Sequence, residues 1–137
     1  MLKSKVKTIQ FNNMVHAISE WQFNHGSYAK RKGHCLQCVR DCLKLANLVL
    51  PWNAPPNNGA IDCAKDLKPN PEKYGWKAIH ALDQLCVVFF RDTGKTNGFE
   101  YGHIGIYDPV TQIIYSSVNY NYSEYWNDRI YLAVIPK

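Results

Sequence analysis

The amino-acid sequence predicts an α+β fold, helices first and an antiparallel sheet after them. Three observations carry this. Phe11, Met14, Val15, Ile18 and Trp21 recur at the spacing of one helical face. Cys35, Cys38, Val39, Cys42, Leu45, Ala46 and Val49 repeat that spacing without a gap. From residue 85 onward the pattern becomes short apolar or alternating runs, LCVVFF, HIGIYD, IIYSSVNY and RIYLAVIP, separated by turn sequences. Helices followed by strands, without βαβ alternation, make an α+β domain.

Taken in order, a first helix is expected over 10–22. NHGSYAKRKG then reads as a loop, with Gly26 and Gly33 as breakers. The second helix is expected over 35–49, stopped by Pro51, whose ring and missing N–H cannot continue it. PWNAPPNNG is a loop by composition, residues 60–67 form a short helix, and KPNPEKYG is a turn. Strands follow over 85–90, 103–108, 113–120 and 129–136, joined by RDTGKTNGFEYG, PVTQ and an aromatic segment. The chain has 137 residues and no internal repeat, which suits one domain over 1–137 with a core that needs no disulfides.

The net charge of +5 favours an anionic partner. The lysines and arginines are spread out apart from Lys3, Lys5 and Lys7 and the KRK run at 30–32, so nucleic acid is not the expected partner. No apolar run is long enough to span a membrane. TIQFNNMVH, after the N-terminal lysines, is too polar for the core of a signal peptide, so synthesis in a cytoplasm without a leader is expected. Five cysteines, three of them crowded at 35, 38 and 42, argue for free thiols and against a disulfide framework.

The crowded cysteines admit three chemistries. A structural zinc site needs four ligands, commonly two C-x-x-C pairs; Cys35 and Cys38 make one pair, and Cys63, Cys86, His80 and His103 are isolated. A thioredoxin-type redox pair follows a strand in a βαβ unit, whereas Cys35 follows a polar loop. A nucleophile is favoured at a helix N-terminus, where free N–H groups and the macrodipole stabilise a thiolate within the first turn. Cys35 holds that place, and Cys38 and Cys42 lie deeper on the same face as small apolar residues. A cysteine nucleophile needs an imidazole. EYGHIGIYDP sets His103 at a strand start, with Gly105 and Tyr107 on its face and Ile104 and Ile106 on the other.

These blocks resemble a known family. GHCLQCVRDCL is similar to the G-x-C-(small/apolar)-x-x-V-R-x-(small)-L element of bacterial and phage CHAP and NlpC/P60-type cysteine amidases, matching at Gly33, Cys35, Val39, Arg40 and Leu43. YGHIGIYD resembles their G-H-(I/V)-(A/G)-I-(Y/W) block through Gly102, His103, Gly105 and Tyr107. ALDQLCVVFF resembles the strand entry between them, although Asp83 stands two residues early for the family aspartate and Gln84 replaces part of the motif. IIYSSVNYN resembles the strand that carries a polar orienting residue, and the likeness spans about residues 26–135.

The resemblance implies a papain-like fold, with the nucleophile helix packed on a C-terminal antiparallel sheet. It implies a peptidoglycan hydrolase, either amidase or endopeptidase. Cys35 would attack the carbonyl and His103 would protonate the leaving amine. The Cys35 N–H would hold the oxyanion, with Tyr28 or Gln37 as a second donor and Tyr28 preferred. Asn119, then Ser117, are the candidates to orient the imidazole, on the premise that residues 113–120 form one strand. Asp108 is assigned instead to the turn with Pro109. Tyr101, Tyr120, Tyr122 and Trp126 are candidates for contacting sugar and peptide. No metal or cofactor is implied. The expected partner is peptidoglycan, met by a monomer in the cell wall or periplasm after holin-assisted release of a phage lysin or injection by a secretion system, the latter with an immunity protein. The alternatives are a papain-like hydrolase of a protein or another amide, and an inactive binding module of the same fold.

Overall fold

The structure, a computed structural model, describes residues 9–30, 34–52, 58–96 and 99–137. Lys3, Lys5, Lys7, Gly33 and residues 53–57, all used in the sequence argument, lie outside the described residues. A 3₁₀ turn, Phe11–Asn13, leads into α1 (Met14–His25), and a second 3₁₀ segment, Gly26–Lys30, follows it. Then come α2 (Cys35–Lys44), α3 (Ala60–Leu67) and β1 (Trp76–Ile79). The remaining elements are β2 (Cys86–Phe90), β3 (Lys95–Thr96), β4 (Phe99–Glu100), β5 (His103–Asp108), β6 (Ile113–Tyr115), β7 (Tyr120–Asn121), α4 (Glu124–Asn127) and β8 (Ile130–Pro136). Six strands form one antiparallel sheet in the order β1-β8-β2-β5-β6-β7, and β3 and β4 make a separate hairpin. The α+β class is therefore as the periodicities indicate.

The sheet has two covered faces. Val87 and Phe89 of β2, Ile104 and Ile106 of β5, and Leu132 and Val134 of β8 face the helices, where they meet Met14, Ile18, Val39, Leu43 and Leu67. The alternate residues Cys86, Val88, Phe90, Tyr107 and Ala133 gather on the other face with Ile114 and Trp126. All five residues of β2 are buried, which explains why LCVVFF shows no polar alternation. Among the described residues no helix is long and apolar enough to cross a membrane.

Several local features depart from the sequence expectation, among them the β3–β4 hairpin inside RDTGKTNGFEYG, a segment expected as a loop. The cysteine helix ends at Lys44, well before Pro51. Asn47 adopts φ 57°; its N–H donates to the Lys44 carbonyl and the Leu48 N–H to the Leu43 carbonyl, the paired bonds of a Schellman motif. Asparagine tolerates this left-handed position, so the helix closes there, and Leu45 and Val49 are left exposed. The segment expected as a loop after residue 23 is helical to His25 and 3₁₀ to Lys30. The strand expected over 113–120 is a hairpin: β6 stops at Tyr115, and β7 folds back to pair Ile113 with Asn121 and Ile114 with Tyr120. Finally, β1 and α4 are too short to carry a legible period.

Gly102, just before β5, is fixed by two constraints. Its φ is +72°, and a Cβ there would stand 2.7 Å from the Phe90 carbonyl oxygen and 3.1 Å from Ile61. Gly75 has φ +86° with nothing near its missing Cβ. Gly102→Ala is therefore expected to cost about 2–3 kcal/mol, and Gly75→Ala about 1 kcal/mol. Urea unfolding of the two variants checks the difference; equal costs would mean that the loop before β5 yields freely.

Candidate active site

Cys35 is the first residue of α2, and α2 packs against β5. The residue is partly exposed, but its thiol is enclosed. Burial raises the Cys35 pKa above its ordinary value, opposed by backbone N–H donation from Ile104, Leu36 and Cys35 itself. Two of those donors belong to the first turn of the helix, where N–H groups have no carbonyl partner. The third belongs to β5, one residue beyond His103. The helix start thus meets the strand start.

The His103 side chain lies on the other face. Ile104 and Ile106 take the helix side because they supply the apolar contact there, and strand alternation sends His103 the opposite way. Its ring packs in an aromatic nest, with centroids 5.1 Å from Trp126, 5.5 Å from Tyr120 and 6.1 Å from Phe90. Nε2 is buried with no hydrogen-bond partner. Burial alone lowers the His103 pKa to about 4, with no contribution from Cys35, so the ring is neutral at pH 7. Sequence and structure agree on where each backbone lies. They differ on the side chains: Cys35 and His103 are not brought together.

The remaining candidates divide between the two faces. Tyr28 and Gln37 do meet, the Tyr28 hydroxyl donating to Gln37 Oε1 at 3.0 Å. Asn119 is on the helix side, accepting from Gln22 Nε2 at 2.8 Å and from the Ser116 N–H at 3.4 Å. Its amide oxygen is engaged by α1 and by its own turn, with no imidazole among its partners. Ser117 is buried beside it. The parity that grouped Ser117 and Asn119 on one strand face does not apply, because both lie in the turn between β6 and β7. Tyr120 and Trp126 surround His103, their rings 5.2 Å apart. Tyr122 stacks obliquely on Tyr107, 4.9 Å away, on that same far face. Tyr101 sits elsewhere, its carbonyl accepting the Ile61 N–H at the start of α3 and its ring close against Gly59. Asp108 serves the turn as expected, its carboxylate accepting the Val110 N–H at 2.9 Å.

Two features near Cys35 escaped the sequence argument. Gln22 ties α1 to the turn under Cys35 by donating to both Asn119 and the Ser116 carbonyl, while the Ser116 hydroxyl donates to the Cys35 carbonyl at 3.4 Å. No local signal marks such a residue; its partners lie far along the chain. A column of rings also leads toward the helix start: Trp21 and His25 are stacked at 3.8 Å, His25 lies 5.8 Å from Tyr28, and Tyr28 and His34 are stacked at 4.0 Å. The i, i+4 spacing of Trp21 and His25 was visible in the sequence. Among the described residues no three His, Cys, Asp or Glu side chains gather as metal ligands. No protein-family model, curated protein or solved structure matches the chain.

Proposed function

We propose that the chain is a papain-like cysteine hydrolase that cleaves an amide bond of peptidoglycan, with Cys35 as the nucleophile and His103 as its acid–base partner. One observation carries it: Cys35 opens a helix whose packing sets the sulfur against the N–H of Ile104, the residue next to His103. The two sequence blocks around Cys35 and His103 support the same assignment. For catalysis the His103 ring must leave its nest and turn to the helix face. The ring contacts and the pairing of His103 with Phe90 hold it on the far face, so the turn requires the backbone at the start of β5 to rotate, while the buried Nε2 has no hydrogen bond to break. Once turned, His103 takes the thiol proton and returns it to the leaving amine. The first-turn N–H groups of α2 stabilise the oxyanion, helped by the Tyr28–Gln37 pair. Asn119 would exchange Gln22 for the imidazole. The net charge of +5 suits an anionic wall, reached from the cytoplasm by release or injection.

A second reading, a binding module without catalysis, is favoured by the opposite facing of Cys35 and His103. Brief iodoacetamide treatment near pH 6, followed by peptide mapping, separates the two. An ordinary thiol is under roughly 1% ionised there. Selective labelling of Cys35 is expected from a thiolate–imidazolium pair. Slow, uniform labelling is expected from the buried, protonated thiol and would support the binding module. Mass spectrometry of digested muropeptides then identifies the bond cut.

A further inference from the structure

We propose that Cys35 and Cys38 form a reversible disulfide within the first turns of α2, with low-molecular-weight disulfides as oxidant. Among the described residues no strand precedes Cys35, so the thioredoxin-type context is not seen there. The local geometry does not need it. Residues i and i+3 of a helix have Cα atoms about 5 Å apart, inside the range that a disulfide spans. Cys35 is the first residue of α2 and Cys38 the fourth, both on the face turned to the core. They are close enough that charge on Cys35 adds to the upward push on Cys38, whose pKa is raised chiefly by its hydrogen bond with Cys42 and by burial.

Exposure assigns the roles. Cys35 is partly exposed, Cys38 is wholly buried and Cys42 is 2% exposed. The Cys35 sulfur is itself enclosed, but Cys35 alone of the three belongs to a residue with exposed surface, so a small disulfide reaches it first when the contacts around the start of α2 open. Its thiolate attacks one sulfur of the small disulfide; that S–S bond breaks, a mixed disulfide forms on Cys35, and the other half leaves as a thiolate that takes up a proton. Cys38 then gives up its proton and attacks the Cys35 sulfur. The Cys35–Cys38 bond forms and the second half leaves as a thiol. Two protein thiols are oxidised and one small disulfide is reduced to two thiols. The chemistry is independent of hydrolysis, and so is the test.

Trypsin cuts after Lys32, Arg40 and Lys44, which places Cys35 and Cys38 in one peptide, GHCLQCVR, and Cys42 in another, DCLK. The folded protein is brought to equilibrium in oxidised and reduced glutathione, because burial keeps both thiols protonated and the exchange slow. It is then denatured, alkylated and mapped. The expected result is GHCLQCVR lighter by two hydrogens and unalkylated, with DCLK fully alkylated. The folded protein should reach half-oxidation at about a tenfold more reducing glutathione ratio than the chain in urea. Cys42→Ala should leave this unchanged, and Cys38→Ala should retain glutathione on Cys35. Full alkylation of GHCLQCVR, a cross-link between GHCLQCVR and DCLK, or equal oxidation of folded and urea-unfolded chains would each overturn the proposal.

Discussion

As the pH falls from about 6.5 to about 4, the folded chain is expected to lose roughly 3 kcal/mol of stability through His103 alone. The folded pKa, about 4, lies below the ordinary 6.5 because the ring is desolvated among Trp126, Tyr120 and Phe90. Within that window the unfolded chain binds a proton that the folded chain refuses. The stabilisation is therefore complete above the upper value and lost toward the lower one. Carboxylates titrate nearby, so the comparison is between wild type and His103→Leu, which keeps an apolar side chain in the nest. Urea unfolding of both across the window should show the extra slope in wild type only. An imidazolium paired with the Cys35 thiolate reverses the sign. Its pKa would lie above 6.5, and stability would be lost as the pH rises through it. The same measurement thus decides which arrangement the resting protein holds.

Cys35→Ser is expected to reduce peptidoglycan hydrolysis at least about a thousandfold while leaving the unfolding midpoint nearly unchanged. His103→Ala should cost nearly as much activity, since members of one catalytic unit fail together. Cys38→Ala should act otherwise. The residue is wholly buried, so its loss is expected to lower stability by about 1–2 kcal/mol with turnover retained. The assay is muropeptide release, read beside circular dichroism of each variant. A folded Cys35→Ser protein with full activity would remove Cys35 from the chemistry.

Much of this architecture was legible in the sequence, and the reasons are local. Met14, Ile18 and Trp21 are buried on one face of α1, and Cys38, Val39 and Cys42 on one face of α2, because apolar spacing and packing demand the same side. HIGIYD even stated that His103 opposes the two isoleucines. What it did not state is which face the helices would cover. That depends on β2 and β8, whose Phe89 and Val134 join the isoleucines from distant parts of the chain. The Asn47 helix end was written in a residue type that tolerates positive φ, but Pro51 offered a louder stop. The turn at 116–119 was missed because SSVN carries no glycine or proline, and tertiary hydrogen bonds from Gln22 and to Cys35 hold it beside the local bond from the Ser116 N–H to Asn119.

The strand order β1-β8-β2 has a consequence for how the protein is made. Trp76 pairs with Pro136 and Val87 with Val134, so β8 is the sole neighbour of β1 among the described residues and supplies one edge of β2. A ribosome delivers β1 and β2 well before it delivers residues 130–136. Until then the wholly apolar CVVFF strand has an open flank, and β1 lacks its one strand partner among the described residues. Such an edge invites pairing with another nascent chain. The sheet cannot close gradually as synthesis proceeds; it closes by the late insertion of one strand between two that wait for it, a non-local step of the kind that slows folding.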